Sequence, residues 1–142
     1  MVRPSRRKST ERSQAGRYLI VAESLLRSAE ALSEIAVEGD PYGNAIGVVS
    51  THAAIAFNDA LTIAYRGVKS TEGDHRRAGD VLQEVLGARV PADQLSRLRA
   101  VLALKDRISY GGTYYRLDDA RRVLVEVQIF GAWAKQTYEQ RP

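Results

Sequence analysis

The stretch NAIGVVSTHAAIAFNDALTIAYRG, residues 44–67, decides how the chain folds. Ile46, Val49, Ala53, Ala56, Phe57, Ala60, Leu61 and Ala64 recur in steps of three and four, the spacing of one helical face. Val48, Ile55 and Ile63 fall off that stripe, so the helix is apolar on more than one side and is expected at the centre of the fold. Its alanines permit close approach of neighbours. Asn44 is the expected N-cap and Gly67 the stop.

Working outward, Ala15, Tyr18, Leu19, Ala22, Leu25, Leu26, Ala29, Leu32 and Ala36 define a long first helix over about Ser13 to Val37. Gly39-Asp40-Pro41 ends it. Downstream, Asp74 is the expected N-cap of a short helix carrying Ala78, Val81, Leu82, Val85 and Leu86, closed by Gly87. Pro91 opens a fourth helix with Leu95, Leu98, Val101, Leu102 and Ile108, interrupted by Gly111-Gly112. A last helix starts near Leu117, where Asp118 and Asp119 complement its N-terminal dipole, and runs through Val123, Val127, Phe130 and Ala134. No segment alternates with period two. The expectation is an all-α antiparallel four-helix bundle with one additional short helix. A second apolar line on the last helix, Val125, Ile129 and Trp133, predicts a homodimer.

The 142 residues, 44% hydrophobic, suit one domain over residues 15–140. The net charge of +4 is uneven: residues 1–17 hold six Lys/Arg against Glu11 alone, and the rest hold fifteen against sixteen acids. Residues 1–14 therefore read as a basic, disordered arm on a near-neutral body, either a solubilising tail or a salt-dependent contact for nucleic-acid phosphates. With no cysteine, a disulfide framework, a thiolate zinc site and a cysteine nucleophile are excluded. A reducing cytoplasm is the expected compartment. No apolar signal core follows the basic start, and no run approaches about 18 consecutive apolar residues, so neither secretion nor membrane insertion is expected.

The chemically informative stretch is KDRISYGGTYYR, residues 105–116. An arginine and three tyrosines surround a glycine pair, a combination able to hold phosphate oxygens and stack on bases. The plainer alternative is a helix end with amphipathic tyrosines, Arg107 being paired with Asp106 or Asp59.

The long first helix, the segment HAAIAFNDAL (52–61), DHRRAGDVL (74–82) and RISYGG (107–112), followed by a last helix, together resemble the HEPN domains. These are small all-α prokaryotic proteins often encoded beside a minimal nucleotidyltransferase, and the resemblance spans about residues 15–138. It implies an RNA-associated protein, with metal-independent endoribonuclease activity of a toxin–antitoxin or defence system as the enzymatic version. Family ribonucleases carry an arginine followed, four to six residues on, by a histidine. Arg107 matches the arginine as catalytic residue, but Gly112 stands at the histidine position. Cleavage through the 2′-hydroxyl needs a group that moves protons near neutral pH, so the resemblance implies RNA contact more securely than cutting.

Asp106, Tyr110 and Tyr114 would complete an RNA- or nucleotide-binding site. Tyr114 is also the candidate AMP acceptor for a nucleotidyltransferase partner. His52, expected to be hydrogen-bonded within the core, and His75 are weak substitutes for the missing imidazole, and two histidines are too few for a metal site. No cofactor is expected. The alternative is a non-catalytic nucleotide- or protein-binding helical module; a purely structural bundle is the third reading.

Overall fold

The computed structural model describes residues 7–39, 41–71, 77–110, 112 and 114–141. The elements are β1 (Arg7–Ser9), α1 (Ala15–Ile35), α2 (Tyr42–Arg66), β2 (Val68–Ser70), α3 (Ala78–Leu86), α4 (Ala92–Ala103), α5 (Lys105–Tyr110) and α6 (Leu117–Glu139). The protein is all-α apart from one two-stranded ladder. The proposed caps and substitutes at Asp74 and His75, and the arm residues Arg3 and Arg6, lie outside the described residues.

The central place of α2 follows from its composition. Seventeen of its residues are buried, on every side of the helix, and Ile46, Ala53, Leu61 and Ile63 are fully enclosed. By length and mean hydropathy, 1.3 over its apolar window, α2 matches a membrane-spanning helix, a feature that counting unbroken apolar runs missed; 83% of that window is buried inside the fold.

Directions are fixed by who meets whom. Ala15 at the start of α1 clusters with Ile63 and Ala64 at the end of α2, so these helices are antiparallel. Ile46 packs with Ala120 and Leu124, whereas the Tyr65 hydroxyl donates to the Thr137 carbonyl at 2.9 Å, so α2 and α6 run parallel. Contacts Glu23–Lys135 and Glu30–Gln128 set α1 antiparallel to α6. Arg121 on α6 donates to the carbonyls of Ser33 and Ala36, satisfying groups that the end of α1 leaves open.

Four sequence expectations are corrected. The arm is not free throughout: Arg7–Ser9 pair antiparallel with Val68–Ser70, the Thr10 amide donates to Gly67, and Arg12 Nε donates to the Ala64 carbonyl at 3.0 Å. Unpaired main-chain groups at the exit of α2 supply the partners. The fourth helix does not run on to the glycine pair: a turn at Leu104 separates α4 from α5, and the redirected α5 buries Ile108. Asn44 is not a cap: α2 starts at Tyr42, and the Asn44 side chain is engaged elsewhere. His52 is not in the core but exposed. On α6, Val125 and Ile129 are exposed, and Trp133 is half-buried against Phe130.

Candidate functional site

The segment from α5 to the first turn of α6 is held against the start of α2 by one amide and two glycines. Asn44 Nδ2 donates to the Ile108 carbonyl at 3.0 Å, and its Oδ1 accepts the Tyr115 amide at 2.8 Å. One side chain thus ties both ends of the glycine-containing loop. A Cβ on Gly43 would lie 1.8 Å from the Tyr115 carbonyl oxygen, so the backbone of residues 115–116 crosses α2 at a distance only glycine allows. One turn on, Ile108 packs directly over Gly47.

On this support Arg107 is exposed and takes part in none of the ion pairs among the described residues. The expected pairing with Asp106 or Asp59 is not formed; Asp106 is exposed and Asp59 is buried in α2. What Arg107 does meet is the field of Tyr115. Burial pushes that phenol above its ordinary value and Asp119 adds to the rise, while Arg107 and Arg122 oppose it. Arg107, Arg122 and Asp119 therefore share the field of Tyr115, and within it Arg122 is paired with Asp119 at 3.4 Å while Arg107 has no ion pair among the described residues.

Tyr114 points outward, 82% exposed, and forms part of two adjoining hollows. One, of about 400 Å³, is bounded by Glu38, Gly39, Pro41 and residues 114–118. The other, of about 560 Å³, is more apolar, with Val48, Val49 and Ile108 along it. Of the site residues read from sequence, Arg107, Asp106 and Tyr114 share this end of the molecule, but the neighbour electrostatically coupled to Arg107 is Tyr115, not Tyr114. The side chain of Tyr110 lies outside the described residues.

Of the two histidines, only His52 falls among the described residues. His52 stands on α2 with its ring partly sheltered; burial first, then the Lys105 ammonium, hold its pKa below the ordinary histidine value. Lys105 and Arg107 are two residues apart on α5, about 200° around a helix, so the two cations project from different sides of it. Gly112 has φ +63°, a left-handed turn that favours glycine over the histidine of the resembled motif. Among the described residues no three His, Asp or Glu side chains gather as a metal site.

Sequence reasoning placed Tyr115 in the informative stretch but missed Asn44, Gly43, Asp119 and Arg122 as members of this region. The Tyr115–Asp119 and Asp119–Arg122 spacings, each about one helical turn, carried a local signal. No family model and no curated protein matches the chain.

Proposed function

We propose that this chain is a HEPN-like four-helix-bundle protein of the cytoplasm that binds RNA or nucleotide phosphates at the α5–α6 loop without cutting them. The observation that carries the reading is the exposed Arg107 guanidinium, unpaired and sharing the field of Tyr115 with Arg122. The unpaired Arg107 guanidinium suits phosphate oxygens, and the exposed Tyr114 ring offers a face for a base. Catalysis is the weaker version because no described imidazole stands beside Arg107, and a phenol with a raised pKa is a poor proton acceptor at neutral pH.

The same reading includes a homodimer through Val125 and Ile129 of α6, and a minimal nucleotidyltransferase partner for which Tyr114 is the AMP acceptor. The exposure of Val125, Ile129 and Tyr114 supports both. The test is a short single-stranded RNA followed by fluorescence anisotropy and by gel. Wild type should bind and leave the RNA intact, and Arg107→Ala should bind at least about tenfold more weakly, the loss of a charge-assisted contact. Equal binding by the two proteins overturns the site. RNA degradation abolished by Arg107→Ala would restore the endoribonuclease reading.

A further inference from the structure

The opposite end of α2 carries a second organised surface. Tyr18, Tyr65 and Tyr138, from three different helices, pack around Ala15, Ile63 and Ala64. Each ring has a cation over it: Lys69 at 5.2 Å from the Tyr18 centroid, Arg89 at 5.4 Å from Tyr65, and Arg141 at 3.9 Å from Tyr138. Arg17 lies beside Tyr18 in the first turn of α1, Arg66 is the last residue of α2, and Arg12 is tied to Ala64.

Lys69 is buried, but Arg12, Arg17, Arg66, Arg89 and Arg141 are all exposed, and none takes part in an ion pair among the described residues. Among the described residues of the segments that carry these arginines, Glu11 and Glu139 are exposed acids. The strand β1 brings Arg7 and Lys8 to the same end. Arg7, Lys8, Arg12 and Arg17 come from the basic first seventeen residues, whereas Arg66, Arg89 and Arg141 come from a body that holds fifteen Lys/Arg against sixteen acids. The fold gathers the positive charge.

We propose that this pole is a docking surface for the phosphodiester backbone of a nucleic acid, separate from the Arg107 site. The 25 residues of α2 place the two about 37 Å apart. The charge is carried by arginines, whose planar groups engage phosphate in pairs of hydrogen bonds, and three of the basic side chains are oriented by the rings beneath them. The contact is sequence-independent, because what the pole presents is arginine charge, which engages the phosphates of any sequence alike. An anionic membrane offers phosphate as well, but the rings here are turned toward their cations and the Ala15–Ile63–Ala64 cluster, not presented as apolar anchors.

The experiment is binding of a fluorescein-labelled 12-nucleotide oligouridylate across a salt series, for wild type, Arg17→Gln/Arg66→Gln and Arg107→Ala. Arg17 and Arg66 make no hydrogen bond among the described residues, and circular dichroism checks that the double variant folds. The double variant should bind at least about tenfold more weakly at low salt, with the slope of log K against log salt reduced by about 1.4, two contacts at about 0.7 each. Unchanged affinity and slope overturn the proposal. So does a dependence on Arg17 and Arg66 seen only with phosphatidylserine–phosphatidylcholine vesicles. Because Arg107 is tested separately, loss in one variant alone tells which of the two sites has failed.

Discussion

The two ends of α2 organise their surroundings by different physics. At the start, small groups let backbones touch: Gly43 admits the Tyr115 carbonyl, Gly47 admits Ile108, and Asn44 joins the ends of the loop. At the exit, large rings hold cations in place, and the main chain of the arm completes the open backbone groups. The first end is defined by how little space it has. The second is defined by charge, which tolerates displacement far better because Coulomb attraction decays slowly while overlap repulsion rises steeply.

That contrast is broken most forcefully by Gly43→Ala. The added methyl meets a backbone oxygen that cannot swing aside, so a loss of about 3 kcal/mol is expected in a denaturant melt. Arg66→Gln at the other end should stay within about 0.5 kcal/mol of wild type, since an exposed side chain with no ion pair among the described residues has little to lose. If both cost the same, the contrast is mistaken.

Asn44→Ala sharpens the comparison. It strips two partly buried main-chain groups of their partner, an expected loss of about 2 kcal/mol, with faster hydrogen exchange at the Tyr115 amide. Full protection of that amide in the variant would show that the loop is held by packing alone.

The smallest effect belongs to His52. Its pKa is lowered in the folded protein, so the unfolded chain takes up the proton first as pH falls. Stability from this group is complete above the ordinary histidine value and declines as pH drops below it. By NMR the His52 titration should have its midpoint below 6.5 and move toward 6.5 in Lys105→Ala. A midpoint above 6.5 contradicts the arrangement of α2 against α5.

The helices were legible because burial on a helix repeats locally: the stripe through Phe57 and Leu61, or Val123 through Phe130, states its own period. The clamp was not. Asn44 lies 64 residues from one partner and 71 from the other, and an asparagine before an apolar stripe reads just as well as a cap. Nor does a sequence show that Tyr18, Tyr65 and Tyr138 will meet, since that follows from α1 running against both α2 and α6. The β1–β2 ladder is three residues a side, too short to display alternation. For the candidate site, Arg107 and Tyr114 could be named from their neighbours along the chain, whereas Arg122 enters through the field it shares with Tyr115.

The clustering of Ala15 and Tyr138 also brings the two ends of the described chain to one side of the molecule. A fusion partner, a surface tether or a dye attached through either end would leave the Arg107 loop facing outward, and a short peptide joining the ends would suit a circular permutant.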